Sequence, residues 1–502
     1  MGNSCGGFKE YWDMYRKYFP KMQGGYIWYF VDQGLRDKSK VTGREIFTYG
    51  GDYGRYPATD HNFNCNGLIR PDRQLNPHAY EVTYYYQNIW TTLVDLQKGV
   101  VKVFNENFFK GLDNVELRWK LLADGASVAS GTVAQLNVAP QQTVEVALPH
   151  YGIPAAVQDK ELMLDVEYCL KNAEPMLEKG TRIAYQEMQV RPYQFPTMQQ
   201  LLDAKSDNKV QKEEQLACLS LTAGRMSVTF NKKTGLVDYI DVDGKPMLED
   251  GFSLKPDFWR APTDNDYGAK FPVKLKMWKN PEMKLTSFQA QPEGKNYKVT
   301  AQYEMPATET KLQLTYYLTA DGQLVVNQTL TAVGDKAGKE DWWMPRFGMQ
   351  LVMPAEYGKL SYYGRGPIEN YWDRKSNTLL GSYQQNVADQ YWEYVRPQES
   401  GNKTDVRWWQ VKNGSGQGLQ FYGTAPLECS TLHFLPADLD DGDSKNDHQS
   451  HSGDLVARKY SVVHVDWHQM GLGCVNSWGR KPLPEYTMPY GNYSYTFVVK
   501  PV

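Results

Sequence analysis

The sequence predicts a multidomain, mostly β protein, in which a short α/β segment precedes two β-sandwiches. A chain of 502 residues is too long for a single hydrophobic core, so we expect several domains. Residues 26–31 form an unbroken apolar and aromatic run, which is typical of a strand buried on both faces of a parallel sheet. From about residue 98 onward the apolar residues alternate with polar ones, which is the period of half-buried strands.

The apolar run 26–31 lies behind a predicted amphipathic helix. The helix is predicted from apolar residues at three- and four-residue steps, namely Phe8, Trp12, Tyr15, Phe19 and Met22. The run itself ends in the polar pair Asp32 and Gln33. In barrels, the C-terminal ends of such strands present side chains to the mouth of the active site.

The rest of the first segment, residues 1–92, predicts loops and a closing helix. Residues 45–54 and 60–72 are rich in Gly, Asn and Asp, which favours loops. Pro77 suits the first turn of a helix that continues over residues 78–90. One strand between two helices cannot close a sheet, so we expect further elements of the same domain in front of this segment.

Two further β domains follow. Residues 95–193 predict an immunoglobulin-like β-sandwich, because short alternating segments recur at sandwich spacings. The charged stretch 194–215 predicts a linker, and residues 216–502 predict a large β-sandwich in two layers. Within it, residues 438–452 are acidic and polar with little apolar content, which predicts a mobile loop.

Composition excludes some classes of function. With 55 basic and 58 acidic residues, the chain has no charge excess that would attract nucleic acid or a membrane. The 14 Trp, 35 Tyr and 18 Phe residues fit either large β cores or sugar stacking. Six cysteines without C-x-x-C spacing predict free thiols, and residues 1–19 contain no signal-peptide core. We therefore expect a cytoplasmic protein, with a periplasmic location as the alternative.

Several blocks of sequence resemble a known family. They are Met1-Gly2-Asn3-Ser4, Gly6-Gly7-Phe8, Gln23-Gly24-Gly25, Trp28 to Gln33, Phe258 to Asp266, Tyr363 to Pro367 and Trp467 to Trp478. In order and content they resemble the large multidomain β-galactosidases of glycoside hydrolase family 2, over essentially the whole chain. The resemblance implies the end of a TIM (β/α)8 barrel over residues 1–92, then the immunoglobulin-like domain, then a galactose-mutarotase-like sandwich of the small-chain type.

The resemblance also bears on the catalytic carboxylates. Retaining glycosidases need two carboxyl groups about 5 Å apart. The family's nucleophile lies in a Glu-Tyr-x-His-x-Met-Gly-Asn-Ser motif, and this chain begins at its Met. The resemblance thus implies that the nucleophile, the acid/base Glu and the magnesium ligands lie upstream of Met1, so no catalytic residue is assigned. Four acidic residues at strand ends or in loops remain as candidates, Asp32, Asp52, Asp60 and Asp72, of which we expect Asp32 and Asp52 to be structural.

Three binding roles are implied by the resemblance. Trp28 matches a barrel tryptophan that stacks on the sugar, although a core tryptophan fits the local pattern too. Phe63 and Asn66 match a partial sodium site that uses a backbone carbonyl and a side-chain amide oxygen, although the residues alone favour an Asn-rich turn. Trp478 matches a tryptophan that the last domain contributes to the mouth of the site.

Two charged motifs in the last domain favour structural roles. Asp264, Asn265 and Asp266 lack calcium-loop spacing and predict a supporting turn, and Arg365 with Glu369 predicts an ion pair.

The function implied is the C-terminal portion of a β-galactosidase that hydrolyses terminal β-D-galactosides with retention. Its expected partners are the sugar, the missing N-terminal half and further copies of the intact enzyme, and alone it is expected to be inactive. The alternative is a non-catalytic carbohydrate-binding or complementing subunit of a split glycosidase.

Overall fold

The computed structural model describes residues 2–54, 59–203, 206, 208–473 and 479–502. The chain divides into two compact units. The first comprises residues 1–79, 195–375 and 383–502, and the second comprises residues 80–194 and 376–382. Each unit has its own hydrophobic core. No helix in the described ranges is long and apolar enough to cross a membrane.

The predicted first helix forms as α1, Phe8–Lys17. It begins after Gly7, whose φ of 76° lies in the left-handed region that glycine adopts without strain. Glu10 in its first turn and the basic Arg16 and Lys17 in its last turn complement the helix dipole. None of its residues is buried, so its apolar stripe remains partly exposed.

The prediction that residues 26–31 form a buried strand is wrong. Tyr26, Trp28 and Phe30 are 106%, 75% and 65% exposed. The described chain pairs this run through one isolated parallel bridge, Val31 with Ile69. An apolar run becomes a buried strand only where neighbouring strands cover it, and the described residues provide no flanking strands here.

The loop prediction for residues 45–54 is partly wrong, whereas the second helix is confirmed. Strands β1, Leu35–Lys38, and β2, Glu45–Thr48, form an antiparallel hairpin, because Ile46 and Phe47 provide apolar side chains that are buried on folding. Helix α2, Pro77–Tyr86, begins at the predicted proline and ends four residues before residue 90.

The second unit contains the alternating segments in two small sheets. Strands β3, β4 and β7 form one sheet, and β5, β6, β8 and β9 form the other. Their shared core includes Trp119, Leu164 and Tyr168, which confirms the predicted alternation. The bounds are β3 Ile89–Asp95, β4 Val100–Asn105, β5 Val115–Ala123, β6 Ala126–Val133, β7 Thr143–Ala147, β8 Leu162–Leu170 and β9 Arg182–Arg191.

The predicted linker is partly structured. It contains helix α3, Met198–Leu202, whose N-cap Thr197 forms a capping box with Gln200. Strand β10, Gln211–Glu214, then pairs with the first strand of the large domain, β11, Cys218–Ala223. Lys212, Glu213 and Glu214 of this stretch therefore lie on an exposed edge strand, where charge is tolerated.

The large domain packs a five-stranded sheet and a twelve-stranded sheet, as the described residues define them, around one core. This arrangement is the predicted large β-sandwich. The remaining elements are β12 Met226–Asn231, β13 Val237–Val242, β14 Lys245–Pro246, β15 Lys255–Asp257, α4 Asp264–Gly268, α5 Phe271–Lys274, β16 Lys284–Glu293, β17 Asn296–Met305, β18 Thr310–Leu318, β19 Leu324–Ala332, β20 Arg346–Pro354, β21 Lys359–Gly366, β22 Leu379–Asn386, β23 Lys403–Lys412, β24 Gly418–Leu432, β25 Tyr460–Gln469 and β26 Tyr493–Pro501.

The predicted mobile loop 438–452 is held by specific contacts instead. Asp441 pairs with Arg396, and Asp440 accepts a hydrogen bond from the indole of Trp259 (2.9 Å). The Ser450 carbonyl accepts the hydroxyl of Tyr49 (2.7 Å). The acidic residues on which the prediction of a mobile loop was based thus pair with a cation and accept a hydrogen bond from other parts of the first unit.

Candidate functional site

Residues 29–33 and 64–69 run side by side and position the predicted sugar-binding residue next to the predicted ion ligands. The Tyr29 amide donates to the Asn66 carbonyl (3.2 Å), and the Gln33 amide donates to the Asn64 carbonyl (3.0 Å). Trp28 therefore adjoins the loop that carries Phe63 and Asn66, and these three predicted site residues lie in one region.

Gly67 is the closest point between the two segments. A Cβ at this position would lie 2.2 Å from the Asp32 nitrogen and 2.4 Å from the Val31 carbonyl carbon, so any side chain would force the segments apart. The Gly67 amide donates to Asp32 Oδ1 (2.7 Å), and the Gly67 carbonyl lies 3.0 Å from His78 Nε2. Burial raises the pKa of Asp32 to about 6 and lowers that of His78 to about 3.

Asn66 has the property expected of an ion ligand. It is 7% exposed, and its Oδ1 has no hydrogen-bond partner within the described part of the chain. An unpaired buried amide oxygen costs free energy, and a hard cation such as sodium is one partner that would offset this cost. The donor chemistry thus fits a partial sodium site, with the Phe63 carbonyl as the second expected ligand. Groups of three or more His, Cys, Asp or Glu side chains suited to a metal are absent from the described ranges.

Trp28 presents most of its indole to solvent, and the centroid of the Tyr29 ring lies 5.5 Å from it. An exposed indole is free to stack on a ligand. Trp478, the other predicted stacking residue, lies outside the described residues.

The candidate carboxylates occupy separate hydrogen-bond networks. Asp52 accepts the Tyr49 amide (2.7 Å) and lies 3.0 Å from His451 Nε2. The Asp72 carboxylate accepts the Gln74 amide (3.1 Å) and lies 3.4 Å from Arg70 Nη2, whereas Asp60 contacts the Phe63 amide (3.2 Å) through its main-chain carbonyl and not its carboxylate. These are contacts of turns and loops, and they show no pair arranged for acid/base chemistry.

The first residues of the chain are fixed by the large domain. Asn3 and Ser4 are buried, and Arg374 donates to Asn3 Oδ1 and to the Ser4 carbonyl, both at 2.8 Å. The Asn3 amide donates to Gln398 Oε1 (2.9 Å), and its side chain donates to the Glu399 carbonyl (2.8 Å). The segment that resembles the end of the nucleophile motif is therefore held by Arg374, Gln398 and Glu399, which lie 370 to 396 residues away in the sequence.

A second contact fixes the loop before Asn66. Asn62 donates to Asp264 Oδ1 (2.9 Å), and Lys445 Nζ lies 2.7 Å from the same oxygen. Burial would raise the pKa of Asp264, but the charges of Lys445 and Arg396 outweigh it and hold the pKa below its usual range. Asp264 thus acts as an ionised acceptor, and the adjacent Asp266 forms a two-pronged pair with Arg260.

The predicted Arg365–Glu369 pair is wrong. Arg365 pairs with Asp405 (2.6 Å), and Glu369 pairs with the buried Arg374 (3.0 Å). Sequence reasoning missed Arg374, since its partners Asn3 and Ser4 leave no short-range spacing signal.

Three family comparisons cover the chain in order. Residues 1–91 match the glycosyl hydrolases family 2 TIM barrel domain, residues 101–191 match β-galactosidase domain 4, and residues 222–499 match the β-galactosidase small chain. The fold and these matches define the class, a multidomain glycoside hydrolase chain. The chain belongs to the β-galactosidase family and corresponds to the C-terminal part of its members.

Individual relatives agree with this assignment. A β-galactosidase of Priestia megaterium is 33% identical over 506 residues, covering 100% of this chain and 47% of that protein. A β-galactosidase of Halalkalibacterium halodurans is 32% identical over 493 residues, covering 97% of this chain and 46% of that protein. The chain spans about half the length of the curated relatives it matches.

Proposed function

We propose that the chain is the C-terminal portion of a β-galactosidase that hydrolyses terminal β-D-galactosides with retention. The carboxylates for double displacement would come from polypeptide outside these 502 residues, and Trp28 would stack on the apolar face of the sugar. The observation that carries the proposal is the juxtaposition of the exposed Trp28 with the buried, unpartnered Asn66 Oδ1 in a chain of this family.

The exposed aromatic run supports a missing partner segment. Tyr26, Trp28 and Phe30 together present a large apolar surface, which a soluble domain rarely exposes without an interaction partner. The parallel bridge between Val31 and Ile69 is the pairing type of an α/β barrel. The remaining part of such a barrel would cover this surface. The intact enzyme is in turn expected to form a homo-oligomer.

The test compares the chain alone with the chain joined to the polypeptide encoded in frame before Met1. We expect turnover of an aryl β-galactoside from the longer protein and none from residues 1–502. Trp28→Ala should lower kcat/KM of the longer protein about fivefold or more, because an aromatic stack contributes about 1 kcal/mol. Phe109→Ala, which removes a 99% exposed ring from the second unit, is the matched control. Turnover by residues 1–502 alone would contradict the proposal.

Sodium is the proposed cofactor of the same region, and magnesium is expected only with the intact enzyme. Asn66 Oδ1 and the Phe63 carbonyl would hold the ion and supply part of its oxygen shell. Asn66→Ala in the longer protein should raise the sodium concentration needed for half-maximal activity, because one ligand is lost. The sodium dependence of the melting temperature should weaken in parallel. If both dependences stay unchanged, Asn66 serves the turn alone.

A further inference from the structure

The hairpin loop between β23 and β24, residues 413–417, contains one of the two Asn-Gly pairs of the chain. This pair is Asn413-Gly414, and the other is Asn66-Gly67. In such a pair the glycine nitrogen can attack the side-chain carbonyl carbon of the asparagine and close a five-membered succinimide ring, because no Cβ crowds its approach. In a folded chain the reaction depends on two features. The nitrogen must be free to attack, and the negative charge that develops on the side-chain oxygen must be stabilised.

The side-chain oxygen of Asn413 lies among three hydrogen-bond donors. Its Oδ1 accepts the Ser415 amide (3.0 Å), the Ser415 hydroxyl (2.8 Å) and the Gln417 amide (3.0 Å). Two of these donors are main-chain N–H groups, which cannot accept a hydrogen bond, so the oxygen and not the nitrogen of the side chain occupies this position. Donors grouped around a carbonyl oxygen stabilise the charge that forms on it when a nucleophile attacks the carbon.

The two nitrogens that would react in this pair make no hydrogen bonds within the described part of the chain. The Gly414 amide has no acceptor there, and Gly414 is exposed. Asn413 is 9% exposed, and its Nδ2 is not one of the buried unpaired atoms, so water can reach it. The turn is closed instead by the Gly416 amide, which donates to the Asn413 carbonyl (3.1 Å). The loop therefore orders the pair without engaging either reacting nitrogen.

The Asn66-Gly67 pair has the opposite arrangement. The Gly67 amide donates to Asp32 Oδ1 (2.7 Å), so the attacking nitrogen is engaged. Asn66 Oδ1 has no donor among the described residues that would stabilise a developing charge. The backbone of residues 31–32 also confines Gly67, since a Cβ there would lie 2.2 Å from the Asp32 nitrogen. The same dipeptide is thus protected at one position and activated at the other.

We propose that Asn413 is a site of spontaneous covalent modification, at which the side-chain amide becomes a carboxylate through a succinimide. Gly414 N bonds to Asn413 Cγ, the Cγ–Nδ2 bond breaks, and Nδ2 leaves as ammonia with the proton that Gly414 N loses through water. Water then adds to one of the two ring carbonyl carbons, and the ring opens to aspartate or isoaspartate. In isoaspartate the main chain runs through the side-chain carbon, so the hairpin gains one methylene group and a negative charge. The reaction needs only water and is independent of the proposed hydrolysis.

The test incubates residues 1–502 at mildly alkaline pH and follows both pairs by peptide mass spectrometry. The peptide that contains Asn413 should gain the mass that corresponds to replacement of NH2 by OH, and an isoaspartyl methyltransferase should label it. Asn66 in the same sample is the internal control, and it should react more slowly by about tenfold or more. In the urea-unfolded chain the two rates should agree within about threefold, because Asn66 accelerates on unfolding and Asn413 does not.

Two variants test the two steps of the argument. Gly414→Ala should slow the reaction about tenfold or more, because a Cβ hinders the attacking nitrogen. The fold should be retained, since this Cβ meets no atom within 4 Å. Ser415→Ala removes one of the three donors to Asn413 Oδ1 and should slow the reaction about fivefold. Ser130→Ala, at an exposed position of β6, is the matched control and should leave the rate unchanged.

Several outcomes would overturn the proposal. They are no detectable conversion at Asn413, equal rates at Asn413 and Asn66 in the folded chain, faster conversion of Asn413 on unfolding, and an unchanged rate in Gly414→Ala or in Ser415→Ala.

Discussion

Gly67 illustrates what single residues contribute to the candidate site. Its lack of a side chain allows the backbone of residues 31–32 to approach, and its amide and carbonyl contact Asp32 and His78. From the sequence, Asp32 is predicted to have a structural role, with its carboxyl group in hydrogen bonds. The identity of its partner, 35 residues further along the chain, depends on tertiary packing that no local pattern records.

Asp32→Asn tests the energetic role of this buried carboxyl. Burial raises its pKa from 3.8 to about 6, so the folded state binds the proton more tightly than the unfolded state. The contribution of this bound proton to the free energy of unfolding is fully present below about pH 4 and is lost as the pH rises through 6. Asn keeps an acceptor for the Gly67 amide without the charge. In urea unfolding at pH 7, the free energy of unfolding of Asp32→Asn should therefore exceed that of the unmodified chain by about 2–3 kcal/mol. This difference should vanish below pH 4.

Asp37→Asn, at an exposed position of β1, provides the control for this measurement. A stability difference for Asp32→Asn that is the same at pH 4 and pH 7 would show that the carboxyl is not the titrating group.

Arg374→Met tests the anchor of the first residues. The guanidinium is buried and donates to Asn3, Ser4 and Glu369, so its removal leaves a buried carboxylate unpaired. We expect a loss of about 3–5 kcal/mol in the free energy of unfolding and faster hydrogen exchange over residues 3–7. Arg365→Met removes a partly exposed pair with Asp405 and should cost about 1 kcal/mol or less, without affecting exchange at residues 3–7. Equal effects of the two substitutions would contradict the anchoring role.

At the scale of elements, local periodicity predicted α1, α2 and the alternating strands of both sandwiches. It failed for residues 26–31, because an apolar run defines a strand only together with the strands that flank it. Composition failed for β2, which was predicted as a loop although Ile46 and Phe47 are buried in the folded chain. The prediction for the loop 438–452 failed for a similar reason, since its acidic residues Asp441 and Asp440 meet the cations Arg396 and Lys279 only in the folded chain.

Limited proteolysis distinguishes the exposed and anchored parts of the N-terminal segment. Tyr26, Trp28 and Phe30 are more than half exposed and lie outside helices and strands, so chymotrypsin should cleave first between residues 26 and 31. The hairpin of β1 and β2 should persist longer, because Thr42 and Tyr49 bond to carbonyls of residues 450–453. Mass spectrometry of early products should therefore show a fragment that begins near residue 31. Early cleavage between residues 42 and 54 would contradict the expectation.

At the scale of the whole molecule, the sequence predicted the order of domains but not the way each unit is assembled. The β-period and the turn spacing indicate two sandwiches, because these signals are local. The composition of the compact units depends on long-range contacts instead. Residues 1–79 share a unit with the large domain, and residues 376–382 belong to the unit of the smaller sandwich.

The role of residues 376–382 leads to a prediction for the second unit. The buried Glu81 carboxylate accepts the amides of Asn377 (2.9 Å) and Ser376 (3.3 Å), and Tyr185 donates to the Asn377 carbonyl (2.7 Å). A fragment of residues 80–194 keeps both sheets and their core but loses these bonds. We expect it to fold with a free energy of unfolding about 2–4 kcal/mol lower than that of the same fragment with residues 376–382 fused to it, at about 1 kcal/mol per bond.

Glu81→Gln separates this effect from general fragment instability. In the fused form the substitution replaces hydrogen bonds to a carboxylate with weaker bonds to an amide, so it should lower stability by about 1–2 kcal/mol. In the fragment without residues 376–382 those bonds are already absent, and the same substitution should have little effect. Equal losses in the two forms, measured by urea unfolding, would show that Glu81 stabilises the unit without the contribution of residues 376–382.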